Sequence, residues 1–403
     1  MNQNKKICVI GLGYIGLPTA ALLANRGYDV HGVDLVQSTV DTINKGQIHI
    51  VEPELDTFVN SAVNSEKLKA SLTPNNADVF IIAVPTPFHE GYVPNVDYIV
   101  SATKAIASYV KNNDIVILES TSPVGTTDLV EETLQNENVD TSKLFIAHCP
   151  ERVLPGHIMR ELVENDRIVG GTTPKATAKT VEFYKTFVEG EVLSTDARTA
   201  EMAKLTENSF RDTNIAFANE LSILCDKFGI DVWELIKLTN RHPRVNVLNP
   251  GAGVGGHCIA VDPWFIVHAA KEENIKTKII KTTKKINTYK TEWAIEKIKN
   301  EALKFENENG RKAKVACMGL AFKPDIDDLR ESPAVYITKS LISQGVDVLA
   351  VEPNIQSHGE FELVDYKKAL KEADIVTFLV AHKEFKGLDI KTDLDFCGVL
   401  VSK

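Results

Sequence analysis

Short apolar runs alternate with longer amphipathic stretches along the first third of the chain. Strands are predicted where Ile, Val, Phe and Ala cluster, at residues 7–10, 30–33, 78–84, 114–119 and 143–147. The stretches between them have the spacing of helices. Apolar strands that alternate with helices are typical of a parallel sheet covered on both faces. The sequence therefore predicts a doubly wound α/β domain, which we assign to residues 1–197.

A long helical pattern follows at residues 199–228. On a helical wheel, a first set of mostly polar residues lies within about a quarter turn of Lys204, and a second set of apolar residues occupies the opposite side. The first set consists of Glu201, Asn208, Arg211 and Ile215; the second consists of Met202, Phe210, Phe217, Leu221 and Leu224. We expect the apolar side to pack and the polar side to form a stripe. More helix is predicted at 231–239 and 284–306, so we assign residues 198–306 to a central helical domain.

A second α/β block follows, with strands predicted at 314–318, 346–351 and 374–380. The polar segment Asn307–Gly310 has the composition of a linker before it. Only Gly319 stands where the first block has three glycines, so no second dinucleotide site is expected. The predicted fold class is α/β: two Rossmann-like, doubly wound parallel-sheet domains (residues 1–197 and 307–403) joined by a central helical region with a long helix.

Composition and charge narrow the range of partners. Of 403 residues, 43% are hydrophobic and 25% are charged, which is ordinary for a globular protein. The net charge of −10 argues against nucleic acid or an anionic membrane as partner. No run of 18 apolar residues and no apolar signal segment is present. Six scattered cysteines without a CxxC pair predict reduced thiols, a cytoplasmic location and no metal site.

A glycine-rich turn comes directly after the first strand and opens the first helix. It comprises Gly11, Gly13, Tyr14, Ile15 and Gly16, with Leu12 between the first two glycines. The glycines permit a tight turn, close approach of a pyrophosphate and close packing of helix on strand. Asp34 ends the second strand, where a carboxylate binds ribose hydroxyls and repels a 2′-phosphate. The turn therefore predicts an NAD site.

Three threonines follow later strands of the same sheet, where ligands of such folds bind. Thr86 lies after the strand at 78–84, and Thr121 and Thr126 lie after the strand at 114–119. By their spacing alone, they either line the cofactor or belong to ordinary polar loops.

The segment 253–263 reads Gly-Val-Gly-Gly-His-Cys-Ile-Ala-Val-Asp-Pro. Cys258, held among glycines and followed four residues later by Asp262, has the surroundings of a nucleophile that attacks an aldehyde. A small buried cysteine is the alternative, because free cysteine is among the most buried residue types. Together with an NAD site, a nucleophilic cysteine predicts a thiol-bound intermediate and a carboxylic acid product.

These two segments and four others give the chain a resemblance to the UDP-glucose/GDP-mannose dehydrogenases. The shared blocks run nearly from end to end: Gly11–Gly16, Glu119–Gly125, Cys149–Gly156, Glu201–Asn208, Gly253–Pro263 and Gly319–Pro333. Cys149–Gly156 and Asn240–Asn246 are similar to the mannosamine branch of the family. The resemblance therefore implies UDP-N-acetyl-D-mannosamine as substrate, with UDP-N-acetylglucosamine and UDP-glucose as alternatives.

The resemblance also implies the reaction, a four-electron oxidation at C6 of the sugar for the synthesis of cell-surface polysaccharide. Cys258 forms a thiohemiacetal and then a thioester. Lys204 stabilises the oxyanion, and Asn208 holds the same oxygen or a water molecule. Asp262 holds Lys204 or a water, Glu151 activates the hydrolytic water, and Thr121 orients a water.

Binding residues are implied in the same way. Those expected around the sugar nucleotide are Arg152, Val153, Lys204, Asn208, Arg211, His242, Arg244, Gly255, Phe322 and Lys323. Arg330 is expected at the cofactor, and Arg244 is expected to reach a neighbouring subunit. The long helix, with an apolar side to bury, implies a homodimer. The chain ends earlier than members of the family do, so we expect the C-terminal domain to lack a closing segment.

Two other classes of function stay open on the sequence. A two-electron dehydrogenase of the hydroxyacid type also joins a Rossmann domain to a helical domain with a Lys/Asn pair, but it lacks the cysteine loop and the second α/β block. A non-catalytic nucleotide sensor could use the same scaffold. The presence of Cys258, Lys204, Asn208 and Asp262 together argues against the sensor.

Overall fold

The computed structural model describes residues 5–390, 392 and 394–400. The chain divides into two compact units. The first holds the residues up to Thr206 together with Trp264–Ala269, and the second holds Glu207–Pro263 and the residues from Ala270 onward. The expectation of a missing C-terminal segment bears on residues 401–403, which lie outside the described residues. The division into three domains stays a prediction.

The first unit is built on an eight-stranded sheet with a small two-stranded hairpin. Its strands are β1 (Lys6–Ile10), β2 (Asp29–Val33), β3 (Leu68–Ser71), β4 (Val79–Ile82), β5 (Phe88–His89), β6 (Val93–Pro94), β7 (Ile115–Leu118), β8 (Phe145–His148), β9 (Arg167–Gly171) and β10 (Val192–Asp196). Its helices are α1 (Gly16–Asn25), α2 (Gln37–Asn44), α3 (Leu55–Asn64), α4 (Asp97–Ile106), α5 (Thr126–Asn136), α6 (Ile158–Glu164) and α7 (Pro174–Tyr184).

The strand order in the large sheet is β10-β9-β8-β7-β4-β1-β2-β3, and β5 pairs with β6 in the hairpin. All pairs in the large sheet are parallel except β8 and β9, which are antiparallel, so β9 and β10 run against the others. The central strands β4 and β7 are buried along their whole length, which is why they read as continuous apolar runs in the sequence. The predicted doubly wound sheet is confirmed, with this antiparallel edge added.

The long helix α8 (Ala197–Phe228) is 32 residues long. Several residues on each of its two sides differ from the prediction in their exposure. On the apolar side, Phe210 is 68% and Phe217 is 52% exposed, and Met202 and Leu224 are exposed as well. On the polar side, Glu201 is 1% and Asn208 is 5% exposed. The predicted packing of the apolar side is therefore wrong for the single chain, because buried polar groups with hydrogen-bond partners occupy the inner side.

The second unit adds α9 (Val232–Thr239), α10 (Asp262–Glu272), α11 (Lys278–Asn309), β11 (Lys314–Met318), α12 (Pro333–Ser343), β12 (Asp347–Val351), α13 (Tyr366–Glu372) and β13 (Ile375–Phe378). α10 begins in this unit, although Trp264–Ala269 are grouped with the first. The strands form a parallel sheet in the order β12-β11-β13. Ala316, Cys317 and Met318 are fully buried at the centre of its core.

The linker predicted at Asn307–Gly310 is wrong. Residues 307–309 form the last turn of α11, and the helix ends on Gly310 with φ of 69°. A glycine in this left-handed conformation is a common helix end, so the polar residues before it belong to a solvated last turn. Among the described residues, no helix combines the length and apolar character needed to cross a bilayer.

Candidate active site

The turn between β1 and α1 has the geometry of a dinucleotide site. Gly11 has φ of 90°, and a Cβ placed on it would lie 2.5 Å from the carbonyl oxygen of Ala83. A Cβ on Gly16 would lie 1.8 Å from the carbonyl oxygen of Gly11. A Cβ on Gly13 would meet no atom within 4 Å, so the space above this residue is open to a ligand. The first and third glycines are thus required by packing, and the second leaves room for a pyrophosphate.

Asp34 closes this turn from the end of β2. One carboxylate oxygen accepts a hydrogen bond from the backbone N–H of Leu12 at 3.1 Å, and the other accepts from Val36 at 3.0 Å. Each oxygen keeps a second lone pair for a ribose hydroxyl. Tyr14 and Ile15 lie in the turn immediately before α1. These residues fit NAD, which supplies a hydride acceptor when bound.

The loops after β4 and β7 are joined by side-chain hydroxyls. Thr86 donates a hydrogen bond to the carbonyl oxygen of Thr121, and Thr126 donates to that of Pro123. Both donors are therefore used within the protein, while their oxygens stay available as acceptors. Thr121 is half-buried. Contact of these threonines with cofactor or substrate stays a prediction.

Glu201 fixes one of these loops to α8. Its carboxylate accepts hydrogen bonds from the N–H groups of Gly125 (2.6 Å) and Thr127 (2.7 Å) and from the Thr127 hydroxyl (2.6 Å). A carboxylate at the start of α5 is favoured by the helix dipole and satisfies N–H groups that have no partner in the helix. Lys204 lies three residues after Glu201 on α8 and is half-buried. Sequence reasoning gave Glu201 no role, since its partners are distant in the chain.

Lys204 affects a buried histidine of the same unit. His148, at the end of β8, has no exposed surface, and neither ring nitrogen has a hydrogen-bond partner among the described residues. Burial, together with the charge of Lys204, lowers the pKa of His148 to about 3. His148 is therefore neutral at physiological pH.

The glycine segment around Cys258 is packed tightly within the second unit. A Cβ on Gly255 would lie 2.6 Å from the carbonyl oxygen of Glu331, and one on Gly256 would lie 2.7 Å from the ring of Phe322. The N–H of Gly256 donates to the carbonyl oxygen of Arg330 at 3.0 Å. Predicted residues of three groups thus meet here: Gly255 and Phe322 of the substrate set, Arg330 of the cofactor set and the cysteine loop.

Cys258 itself is half-buried, whereas Cys8, Cys149, Cys225 and Cys317 are buried. Its carbonyl oxygen accepts hydrogen bonds from the N–H groups of Val261 (3.0 Å) and of Asp262 (2.8 Å), the first residue of α10. The thiol is thus held on a fixed turn just before a helix and is more accessible than the core cysteines. A reactive thiol needs this combination.

Asp262 and Asn208, both predicted catalytic residues, are joined by a hydrogen bond that the sequence did not predict. The amide of Asn208 donates to Asp262 Oδ2 at 2.5 Å, and both residues are buried. Asn208 lies one helical turn after Lys204 on α8. The carboxylate therefore orients the Asn208 amide, and the predicted contact of Asp262 with Lys204 stays a prediction.

Glu151 lies in a charged, buried setting after β8. Its Oε2 accepts a hydrogen bond from Arg167 at 2.7 Å, and its Oε1 accepts from the N–H of Arg152 at 2.6 Å. The Arg152 guanidinium donates to the carbonyl oxygen of Asp166, and Val153 packs against the core of the unit. The buried partner Arg167 was missed from the sequence, since nothing in its surroundings marks it.

The other predicted substrate residues lie on the second unit. Arg211, His242 and Arg244 are exposed, and Lys323 is half-buried. His242 Nδ1 accepts a hydrogen bond from the N–H of Arg244 at 3.3 Å, which closes the turn after α9. Arg330 donates to both oxygens of Asp328, at 3.0 Å from its Nε. These positions supply cationic groups, and their roles in binding stay predictions.

Profiles of three domains of one family match successive parts of the chain. They describe the NAD binding domain (residues 5–188), the central domain (198–289) and the UDP binding domain (316–396) of the UDP-glucose/GDP-mannose dehydrogenase family. The chain belongs to the UDP-glucose/GDP-mannose dehydrogenase family. It is therefore an NAD-dependent oxidoreductase that acts on a nucleotide sugar, and the predicted family and cofactor are confirmed.

The chain is similar to named dehydrogenases from several organisms. A UDP-N-acetyl-D-mannosamine dehydrogenase of Campylobacter jejuni is 57% identical over 415 residues, covering 98% of this chain and 100% of the relative. An NDP-N-acetyl-D-galactosaminuronic acid dehydrogenase of Ralstonia nicotianae is 52% identical over 399 residues, covering 96% and 92%. The solved UDP-D-ManNAc dehydrogenase of Pyrococcus horikoshii is 39% identical, with a TM-score of 0.88 over 95% of this chain and 91% of that one.

In this dehydrogenase, the backbone next to Cys258 is bound by a buried lysine that the sequence did not predict. Lys284, on α11, is buried and donates to the carbonyl oxygen of Ile259, the residue after Cys258, at 3.1 Å. Asp212 Oδ2, on α8, lies 3.4 Å from the same ammonium. Burial lowers the pKa of Lys284, while Asp212 opposes that shift. The backbone of the cysteine loop is thus bound by Lys284 on α11, and this lysine forms an ion pair with Asp212 on α8.

The second α/β block of the dehydrogenase differs from the first at its glycine turn. Glu352, after β12, accepts hydrogen bonds from the N–H groups of Leu320 (2.8 Å) and Ala321 (2.9 Å). Burial would raise the pKa of this carboxyl, but its hydrogen bond with His382 and the backbone donors lower it to about 2. The ionised carboxylate therefore occupies the N–H groups of two residues of this turn, one more than Asp34 occupies in the first block.

Proposed function

We propose that this enzyme oxidises C6 of UDP-N-acetyl-D-mannosamine to the carboxylic acid. The observation that carries the proposal is the half-buried Cys258 on its glycine turn in a chain of the nucleotide-sugar dehydrogenase family. The 57% identity with a relative named for this substrate supports the choice of sugar. The relative named for a galactosaminuronic acid, at 52% identity, makes UDP-N-acetylgalactosamine the second candidate.

The proposed reaction uses the cysteine to retain the aldehyde. NAD, held by the glycine turn and Asp34, would supply a hydride acceptor for each of two oxidations at C6 of the sugar. Between them, the Cys258 thiolate adds to the aldehyde carbon, and the resulting oxyanion takes a proton from Lys204 or is stabilised by its ammonium. Asn208, oriented by Asp262, donates a hydrogen bond to the same oxygen. The second oxidation leaves a thioester.

Hydrolysis of the thioester completes the proposed cycle. Water adds to the carbonyl carbon, the carbon–sulfur bond breaks, and the Cys258 thiolate leaves. Glu151 takes the proton of the attacking water, and Thr121 orients that water. Arg152, Arg211, His242, Arg244 and Lys323 are proposed to contact the sugar nucleotide, since guanidinium, imidazole and ammonium groups suit phosphate and hydroxyl oxygens.

The test is an assay of NADH formation with four nucleotide sugars: UDP-N-acetylmannosamine, UDP-N-acetylgalactosamine, UDP-N-acetylglucosamine and UDP-glucose. We expect the first to give the highest kcat/KM and two NADH per sugar consumed. Cys258→Ala should form no acid, and Cys225→Ala, at a buried cysteine away from the glycine turn, is the matched control. One NADH per turnover with release of aldehyde, or full activity in Cys258→Ala, contradicts the mechanism.

We also propose that two copies of the chain associate through the exposed apolar side of α8. Phe210 and Phe217 are seven residues apart, two helical turns, and both are more than half exposed. Exposed aromatic side chains in a row are typical of protein interfaces. Light scattering should give a dimer for the native chain and a smaller mass for Phe210→Glu. Leu303→Glu, at an exposed leucine on α11, should leave the mass unchanged. A monomeric native chain contradicts the proposal.

We also propose that the enzyme acts in the cytoplasm.

A further inference from the structure

Four polar side chains between α8 and α11 form one continuous row within the second unit. We call this row the loop network; it consists of Asp212 and Asn219 on α8 and of Lys284 and Asn287 on α11. None of the four is more than 7% exposed. Asn219 Nδ2 donates to Asn287 Oδ1 at 2.9 Å, and Asn287 Nδ2 donates to Asp212 Oδ1 at 2.7 Å. Asp212 Oδ2 lies 3.4 Å from Lys284 Nζ, so an ion pair completes the row.

The two ends of the loop network bind the backbone on the two sides of Cys258. At one end, Asn219 Oδ1 accepts a hydrogen bond from the N–H of Gly251 at 2.9 Å. At the other end, Lys284 Nζ donates to the carbonyl oxygen of Ile259 at 3.1 Å. Gly251 lies seven residues before Cys258 (258 − 251), and Ile259 follows it directly. The network therefore binds the cysteine loop at both of its ends.

The ion pair determines how the other members of the loop network are oriented. An ammonium group only donates hydrogen bonds and an ionised carboxylate only accepts them, whereas a side-chain amide does both. Asn287 must therefore turn its NH2 group toward Asp212 and its oxygen toward Asn219. Asn219 in turn presents its own oxygen to the N–H of Gly251. Loss of Lys284 thus removes one bond to the cysteine loop directly and leaves the carboxylate of the row without its cation.

We propose that the loop network positions the Cys258 thiol and that Lys284 is its principal positioning residue. Two consecutive peptide groups after the thiol are bonded: the carbonyl oxygen of Cys258 accepts from the start of α10, and that of Ile259 accepts from Lys284. The backbone that carries the thiol therefore has a fixed direction. A nucleophile displaced by about 1 Å reacts about 100-fold more slowly. The inference rests on the proposed role of Cys258 as the nucleophile that retains the aldehyde.

The first test is Lys284→Met, which keeps a long unbranched side chain but has no donor. We expect kcat for NADH formation to fall about 10- to 100-fold, because the thiol is no longer held in line with the carbonyl carbon. The Kd for NAD should stay within about twofold of the native value, since the turn at Gly11–Gly16 belongs to the first unit. Lys284→Arg keeps a cation with donors and should restore kcat to within about fivefold of native. Native kcat in Lys284→Met, or no rescue by Lys284→Arg, overturns the proposal.

A charge-balanced double variant separates positioning from stability. Lys284→Met alone leaves Asp212 buried without a counter-charge, which lowers stability whatever the loop does. Asp212→Asn combined with Lys284→Met removes both charges, while the oxygen of the new amide still accepts from Asn287. We expect this double variant to have a higher Tm than Lys284→Met but the same low kcat, because the donor to Ile259 is still missing. Recovery of native kcat together with Tm overturns the proposal.

Alkylation of the unliganded enzyme by iodoacetamide measures the thiol without turnover. Cys397 is the internal reference, because it is half-buried like Cys258 and lies outside the loop network. Peptide mass spectrometry gives the two rates. In the double variant, a loosened loop exposes the Cys258 thiol more often, so the ratio of the Cys258 rate to the Cys397 rate should rise about three- to tenfold. An unchanged or lower ratio overturns the proposal.

A matched control lies on the same helix. Lys290 on α11 is also buried and bonds to α8, through the Ser222 hydroxyl at 2.8 Å, but this bond does not involve the cysteine loop. Lys290→Met should keep the native kcat and the native alkylation ratio. If it lowers kcat as Lys284→Met does, loss of either buried lysine is sufficient and the proposal fails. Full activity in Cys258→Ala would instead overturn the function on which the inference rests, whereas a native ratio in the double variant overturns the positioning alone.

Discussion

Glu201→Gln is the substitution that most directly tests how the loop after β7 is held. The native carboxylate accepts three short hydrogen bonds, from two N–H groups and a hydroxyl, at 2.6–2.7 Å. Glutamine has nearly the same shape, but its amide nitrogen donates and cannot accept. In either orientation of the amide, its NH2 group faces another donor, which is either the N–H of Gly125 or the N–H and hydroxyl of Thr127.

The magnitude follows from the number of bonds lost. A hydrogen bond to a charged group contributes about 1.5–3 kcal/mol, and a buried N–H left without a partner costs a similar amount. Glu201→Gln loses at least one such bond and weakens the others, so we expect a loss of about 2–4 kcal/mol in the free energy of unfolding. For a unit of about 200 residues this corresponds to a fall in Tm of roughly 6–12 °C.

Thermal unfolding followed by circular dichroism measures this change, with Glu220→Gln as control. Glu220 is an exposed glutamate on the same helix, where the same chemical change should shift Tm by less than about 1 °C. Lys204 lies three residues from Glu201, so kcat at a temperature well below Tm should also fall. A Tm within about 1 °C of the native value for Glu201→Gln would refute the claim that this carboxylate holds the loop.

Three further changes have defined outcomes. Asp34→Ala should raise the Kd for NAD by about 10- to 100-fold in a fluorescence titration, because ribose hydroxyls lose their acceptor; an unchanged Kd contradicts this. Gly255→Ala should destabilise the fold by about 1–3 kcal/mol in urea unfolding, since its Cβ would meet the Glu331 carbonyl oxygen at 2.6 Å, whereas Gly251→Ala, with 3.6 Å to the nearest atom, should be tolerated. Burial lowers the pKa of Lys290 to about 7. The unfolded chain therefore binds more protons between pH 7 and 10, and native stability relative to Lys290→Met should rise across this range, by on the order of 4 kcal/mol; a constant difference contradicts this.

The dinucleotide turn was predictable because its requirements are local. Gly11, Gly13 and Gly16 lie within six residues. Gly16 packs on the backbone of Gly11, Gly13 leaves open space, and only Gly11 has its nearest neighbour outside the turn, at the carbonyl oxygen of Ala83. Asp34 is found from its position at the end of the next strand. The cysteine loop is also recognisable from one short segment of sequence. The neighbours that require Gly255 and Gly256, however, come from residues 322–331.

The supports of the site were not predictable, because each is a pair of residues far apart in the chain. Arg167 and Glu151 are separated by 16 residues, Glu201 and Thr127 by 74, and Asp212 and Lys284 by 72 (284 − 212). A charged residue in a helical or strand pattern has the same sequence signal whether it is solvated or buried with a partner. Only the fold identifies the partner. Burial then makes the loss of either partner costly, because the other is left buried without a hydrogen bond or counter-charge.

The exposed apolar side and the buried polar side of α8 have the same explanation: the sequence pattern does not show which residues pack against each other. Hydrophobic periodicity locates the apolar side of a helix correctly, but it does not state what covers that side. In this chain the inner side of α8 carries Asn208 bound to Asp262, Asp212 near Lys284, and a serine bound to Lys290. A polar inner side is stable only when its partners are present, and those partners lie on the cysteine loop, α10 and α11. The helix thus uses its polar side to order the residues around Cys258, which leaves its apolar side for a second protein surface.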